Sequence, residues 1–508
     1  MNNNTYVRRS ISYHPNFTIQ KNDEPSLNIN YIKDSIYYTL LKLALYDVPR
    51  RLLVQKIKKG IYEAVMGDSS ENLQSIQFKK YLYFTSMLDS VIRNVEKGYI
   101  SLSSFRQLLE IFVGPALIKP QLTQKTARHN FRQHYGIFPP DFVMISPTKP
   151  FIRGNNNPGT EAIQNVSLNF NVFDRIVNEV RNRFGSRFIV INGDEPFLYK
   201  DNDKSIFDIF KQYNDMFFLV FTNGTLISAF VAEKLAELGN VSPVIRVEGF
   251  AEETDAKRGE NTFNKIEKGL AQLRKVGVPF GISIMATSRN VNVLLKDDFY
   301  DYYFDKLGAT YMWQSQFKHA CKGKDSFSLM VNPSDRIKLF RMWEELLRTK
   351  KYCITDFCTS GVLSDGCMAY GRKGGYIHID WNGNITPCNF IPYSSDNIYD
   401  LYSRGRSLCD ALFSKMMKNG REWQYNYGLK NKKLPENWLM PCSIDDHYEY
   451  FRTSVLTGKE TAVNEGAGES LDDENYRRGL AIYTEELKKY TDDIWNNEFL
   501  YCRVRQMV

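Results

Sequence analysis

An α/β fold is predicted: a partial (βα)6, TIM-like barrel, preceded by an all-helical N-terminal region and followed by a small Cys-rich α+β auxiliary domain. Three observations carry this. Between about 142 and 314, six short apolar runs alternate with helical periods. From Tyr31 to about Ile118 the apolar spacing is helical throughout. Of the 8 cysteines none precedes Cys321, and six lie between Cys353 and Cys442.

The elements follow in chain order. Residues 1–30 are polar and Asn-rich and read as an N-terminal arm. Residues 31–139 form the helical region, in which Pro49 begins a second helix behind an Asp47 cap. The barrel segment, 140–323, holds candidate strands "FVMIS" (142–146), "RFIVIN" (187–192), "FFLVFT" (217–222), "PVIRVEG" (243–249), "FGISIMAT" (280–287) and "ATYMWQ" (309–314). Helical periods at 171–184, 203–212, 229–238, 262–275 and 294–306 separate them. Such alternation implies parallel strands joined by crossover helices, with a ligand site at the strands' carboxyl ends. Residues 324–455 open with a helix over 333–350 and continue as a Gly- and Cys-dense auxiliary segment. Within it "GGYIHIDWNGNITPC" reads as a hairpin turning at Asn382-Gly383. Residues 456–508 are a charged linker, flexible over 458–475, and a helix from about 476 to 494.

Composition narrows the function classes. With 43% hydrophobic residues the chain has material for a sizeable core, and 14% aromatic content suits packed surfaces or aromatic-lined clefts. A net charge of +8 over 508 residues is mild, and no nucleic-acid partner is expected. No apolar run is long enough to span a membrane, the first residues lack a secretory pattern, and the cysteines are too few for a disulfide scaffold. A cytoplasmic location is the expectation.

The strand ends hold the candidate binding residues. "NGDEP" follows the second strand: Gly193 allows close backbone approach, Asp194 and Glu195 bring carboxylates suited to an ammonium group, and Pro196 fixes the exit. The fourth strand leads to Glu248 and Arg258, and the fifth to Thr287 and Asn290. Together they suggest a pocket for a zwitterion; singly, each has an ordinary capping or turn role.

In order, "ISPT", "NGDEP", "FTNGT", "VEGFAEETDAKRGENTF", "GVPFGISIMATSRN" and "GGYIHIDWNGNITPC" resemble the radical S-adenosylmethionine (SAM) superfamily, in particular its branch with a SPASM or shortened-SPASM domain. The resemblance implies that "NGDEP" contacts the methionyl amino group of SAM, that Glu248 lies near its ribose, and that Arg258 and Thr287–Asn290 shape the cavity. It also implies Cys-x3-Cys-x2-Cys after the first strand, where three thiolates hold a [4Fe-4S] cluster with one open iron. Here that loop is "KPFIRGNNNPG", with Phe151, Asn155 and Pro158 near the three positions, so the chain is a degenerate, radical-SAM-like version. Asn155–Asn157 with Arg153 could form an anion nest; a plain surface loop is the simpler reading.

For the Cys-rich end the resemblance implies one auxiliary [4Fe-4S] cluster on Cys367, Cys388 and Cys442, with zinc in the same thiolates, or merely buried cysteines, as alternatives. Cys409 is the first candidate for fourth ligand, beside Cys358, Cys353, Asp446 and His447. The expected function is therefore that of a pseudoenzyme binding a ligand, a peptide or a partner enzyme, such as a catalytic radical-SAM paralogue. The alternative is a non-radical enzyme using the pocket on SAM or another small molecule in peptide or metabolite modification, with no catalytic residue named. SAM binding stays open.

Overall fold

The computed structural model describes residues 47–67, 72–101, 103–105, 122–149, 167–318, 326–356 and 361–501. The polar arm, most of the "KPFIRGNNNPG" loop with Arg153 and Asn155–Asn157, and Cys321, Cys358 and Cys502 lie outside the described residues. The chain divides into Met1–Leu53 and Val54–Val508; of the first unit, only the beginning of the helix Asp47–Met66 is described.

The second unit is organised by a ten-stranded sheet. We label its strands β1 (Phe142–Ile145), β2 (Phe188–Ile191), β3 (Phe217–Thr222), β4 (Val241–Val247), β5 (Gly281–Ala286), β6 (Tyr311–Gln316), β7 (Ile354–Asp356), β8 (Tyr376–Ile379), β9 (Asn384–Thr386) and β10 (Asp396–Asn397). Their order is β10-β9-β8-β1-β2-β3-β4-β5-β6-β7. All pairings from β8 through β7 are parallel, and β9 and β10 add antiparallel. This is an α/β fold on a parallel sheet, as the alternation implied.

Burial explains why these segments are strands. In β2 and β3 nearly every side chain is buried, the near-continuous apolar reading of a sheet covered on both faces. The crossover helix Phe170–Asn182 buries Phe173, Ile176, Val177 and Val180, a helical stripe laid on the sheet. Its N-terminus is capped by the Asn169 side chain, which accepts from the amides of Asn171 and Val172. Helix Ala229–Leu238 stops at Gly239 in the left-handed region, φ 69°.

Two features differ from the sequence reading. First, the Cys-rich segment enters the main sheet: β8 pairs in parallel with β1, Phe142 opposite Tyr376 through Ile145 opposite Ile379. The hairpin β8–β9 that follows turns where expected. Asp380 accepts from the amides of Asn382 and Asn384, each at 2.9 Å, and Gly383 takes φ 81° against Ile398. Second, the stretch expected to be flexible contains a strand at Thr461–Ala462 paired with Tyr393–Ser394, then helix Glu465–Asp472 capped by Asn464. Its buried Ala467, whose carbonyl accepts from Tyr393 at 2.8 Å, anchors it.

The helix Gln74–Glu96 is tied to later segments of the chain. Ser75 donates to the Phe499 carbonyl at 2.6 Å, Asn94 to the Gly308 carbonyl at 2.8 Å, and Lys79 pairs with Glu344.

His378 on β8 is held between two hydroxyls, Ser146 at 2.9 Å on Nε2 and Thr386 at 3.0 Å on Nδ1. Burial lowers its pKa to about 4. The unfolded chain binds a proton below its ordinary value of about 6.5, whereas the folded one resists until about 4, so stability falls as pH drops through that window. We expect a loss of roughly 3 kcal/mol from this group. Urea titrations between pH 7 and pH 4 should show it, and His378→Gln should flatten the slope; an unchanged slope in that variant refutes the assignment.

Candidate functional site

A cavity of about 270 Å³ opens on the face that carries the alternate side chains of β1, β3, β4, β5 and β6. Strand alternation puts Phe142 and Met144, Phe221, Arg246 and Glu248, Ser283 and Met285, and Trp313 and Ser315 on this wall. Two stacked pairs form its apolar body: Phe221 with Trp313 at 5.0 Å and 16°, and Phe142 with Tyr376 at 4.9 Å and 9°. Such pairs add about 0.5–1.5 kcal/mol each beyond area burial.

Of the predicted cofactor-binding residues, Glu248 and Arg258 line this cavity. Glu248 is neutralised from both sides, by Lys257 at 2.8 Å and Arg258 at 2.6 Å. Glu195 is turned inward. Its carboxylate accepts from the Thr222 hydroxyl at 2.8 Å, the Asn223 amide at 2.9 Å and the Phe197 amide at 3.2 Å. Burial raises its pKa, against these hydrogen bonds. The carboxylate thus ties β2 to the end of β3 rather than facing a ligand ammonium, and Pro196 begins the short turn that it caps. Gly193 has φ 109°, and a Cβ there would sit 2.7 Å from the Thr148 hydroxyl. Asn290 is a clasp: its side chain accepts from the Thr287 amide at 2.8 Å and donates to the Glu248 carbonyl at 2.9 Å.

Arg246 went unrecognised in the sequence. Its guanidinium donates to the carbonyls of Asp194 at 2.8 Å and Gly193 at 2.7 Å and to Asn192 Oδ1 at 2.5 Å. The cation held in this stretch is one of the chain's own, bonded through the backbone carbonyls of Gly193 and Asp194 and the Asn192 side chain rather than through the Asp194 or Glu195 carboxylate. Burial lowers the Arg246 pKa to about 10, with Glu195 opposing the shift. A signal was present: Arg246 stands two residues before Glu248 and therefore shares its strand face.

A second cavity, about 240 Å³, adjoins through Phe142, Trp313, Tyr376 and Phe390. Cys367, Cys388 and Cys442 all line it. They come from the approach to β8, the exit of β9 and the loop before Tyr448, so the hairpin brings two together and a distant loop the third. Lys318 donates to Cys442 Sγ at 2.8 Å, with Asp445 at 3.4 Å. Burial pushes the Cys388 thiol up to about 12, and that of Cys442 up as well. Among the described residues no group of three or more His, Cys, Asp or Glu is set to hold a metal ion, so the thiols share a space without converging on one point. Three soft sulfurs are the donor type that a thiolate-bound metal group takes, although here they do not converge.

Cys409, the first candidate for fourth ligand, does not line this cavity. It sits in the helix Leu408–Ala411, where the groups acting on it are Ser407, Arg183, Glu179 and Tyr135. Cys353 faces Tyr83 and Ser86. Asp446 accepts from the Cys442 amide at 2.9 Å, and His447 Nε2 lies 2.9 Å from the Met440 carbonyl.

Residues 159–292 match the Radical SAM superfamily model. An "AdoMet-dependent heme synthase" of Methanosarcina barkeri (strain Fusaro / DSM 804) is 23% identical over 323 residues, 58% of this chain and 82% of that protein. A "Fe-coproporphyrin III synthase" of the same organism is 30% identical over 109 residues, 21% of this chain and 27% of that protein. Among solved structures, SuiB of Streptococcus suis bound to S-adenosylmethionine is 15% identical with a TM-score of 0.45, covering 62% of this chain and 75% of that one. Native anSMEcpe with bound AdoMet and a Cp18Cys peptide is 17% identical with a TM-score of 0.45, covering 70% and 99%. No helix among the described residues is long and apolar enough to cross a membrane.

Proposed function

We propose that this chain, whose match to the Radical SAM superfamily model over residues 159–292 is the premise, is a ligand-binding pseudoenzyme that does not cleave SAM reductively and that holds one auxiliary iron–sulfur cluster. The observation that carries the reading is the cysteine arrangement. The first 320 residues contain no thiol, whereas three later thiols line one cavity beside the strand-end pocket. Reductive cleavage needs a cluster with an open iron on the first-strand loop, and "KPFIRGNNNPG" has no thiolate for it. Cys367, Cys388 and Cys442 would hold the auxiliary cluster, which when bound passes electrons or braces the fold. The chain's own residues then bind and orient a ligand: Arg246, Lys257 and Arg258 edge the cavity, and the stacked aromatics form its wall. A peptide, or a catalytic radical-SAM paralogue bearing one, is the partner class we assign to this scaffold.

A second reading follows from the two curated relatives, whose names concern heme and Fe-coproporphyrin. The aromatic walls favour a flat, carboxylated ligand of that kind, with or without a non-radical reaction upon it.

Anaerobic purification followed by iron, sulfide and zinc analysis tests the main reading. About four irons and four sulfides per chain are expected, together with no 5′-deoxyadenosine on incubation with SAM and a strong reductant. Near-zero iron, about eight irons, or catalytic 5′-deoxyadenosine formation each defeats it. An absorbance titration with Fe-coproporphyrin decides the second reading: no spectral shift at micromolar concentration removes it.

A further inference from the structure

The oxygens at the end of β2 and the charge balance of the strand-end cavity together fix what kind of ligand it accepts. Three of the five guanidinium N–H groups of Arg246 are taken by Asn192 Oδ1 and the carbonyls of Gly193 and Asp194. All three acceptors are neutral. The carboxylates of Glu195 and Asp194 act on Arg246 only through space, and Glu195 spends its hydrogen-bonding capacity on Thr222, Asn223 and Phe197. The guanidinium therefore meets the cavity as a positive charge without a bonded counter-ion among the described residues.

The rest of the wall does not offset it. Glu248 is the one carboxylate on the described lining and is shared by two cations, Lys257 and Arg258. Three cations against one carboxylate leave the lining with an excess of positive charge. The same lining carries the stacked rings of Phe221 and Trp313, an apolar aromatic surface. An ammonium ligand would meet the Arg246 guanidinium in this cavity, with the Asn192, Gly193 and Asp194 oxygens beside it already bonded. An anion would pair with the free N–H groups of Arg246 in a low-dielectric cleft, where a charge-assisted bond counts most.

We propose that the cavity is an anion site in which Arg246 anchors the carboxylate of a flat aromatic ligand lying on the Phe221–Trp313 pair, and that it rejects aminoacyl cations. This deepens the ligand-binding reading above and rests on it.

Calorimetric titration of the reconstituted full chain with three matched probes tests it: 2-naphthoate, neutral 2-naphthamide and cationic 2-naphthylmethylamine. We expect the anion to bind at least about tenfold tighter than the amide, and the amine to bind weakest. Arg246→Lys should keep part of the preference and Arg246→Gln should erase it; wild-type selectivity serves as the readout should Arg246→Gln fail to fold. Amide or amine binding as tightly as naphthoate overturns the proposal while leaving a ligand cavity in place. No binding by any probe overturns both the anion site and the ligand-binding reading. Titration with 1-naphthyl phosphate separates carboxylate from phosphate: a phosphate bound more than about tenfold tighter than the carboxylate overturns the assigned head group.

Discussion

Cys388→Ala is expected to lower bound iron from about four atoms per chain to below one, with loss of the broad absorbance of an iron–sulfur centre. The residue sits at the exit of β9 and shares its cavity with Cys367 and Cys442, and among the described residues no further thiol lines that cavity to replace it. Buried and with its pKa up at about 12, the thiol keeps its proton near neutral pH until a bound metal displaces it to solvent, and metal binding becomes folding free energy. Cys367→Ala and Cys442→Ala should behave alike. Cys409→Ala is the internal control, because its side chain packs with Tyr135 and Arg183, and it should keep the full iron content. Iron retained in Cys388→Ala would falsify the cluster assignment, and iron lost in a folded Cys409→Ala would restore that residue as a ligand.

Gly281→Ala is expected to destabilise the second unit by about 3 kcal/mol or more, the upper range for overpacking a filled core. A Cβ at this position would stand 2.0 Å from the Tyr311 ring, which lies across the glycine from the adjacent strand. The ring has little room to retreat, since its hydroxyl is bonded to the Ser242 hydroxyl at 2.7 Å. Because β5 also presents Ser283 and Met285 to the cavity, any shift that relieves the clash displaces that wall. Denaturant unfolding of the purified variant measures the loss, and a change below about 1 kcal/mol shows that the ring relaxes freely.

Much of the fold was legible because parallel strands covered on both faces must be apolar along their length, which "FIVI" and "FFLVFT" display. The hairpin at Asn382-Gly383 was legible for the same local reason, since its turn chemistry is contained in a few adjacent residues. The segment after Gly458 was misread because its anchors lie far away in sequence: Tyr393 reaches the Ala467 carbonyl across 74 positions. Charge composition there is that of a linker, and only tertiary partners make it ordered structure.

The candidate site divides similarly. Residue types at strand ends pointed to the right edge of the sheet, and Glu248 and Arg258 do line its cavity. The roles of Glu195, Thr287 and Asn290 could not be read, because a carboxylate or amide beside a pocket serves equally well as a clasp. Whether it faces the ligand or the backbone depends on which hydrogen bonds its neighbours offer, and Thr222 and Asn223 claim Glu195.

The sequence by itself determined the alternation of strands and helices, the absence of any thiol from the first 320 residues, and the gathering of six cysteines between 353 and 442. These are properties of single segments, governed by periodicity and residue chemistry. Tertiary structure alone decided that Cys367, Cys388 and Cys442 share a cavity while Cys409 does not, and that Arg246 reaches the Asp194 carbonyl across 52 residues. Both outcomes are set by strand order, β8 beside β1 and β4 two places from β2, which places side chains from distant segments on one face.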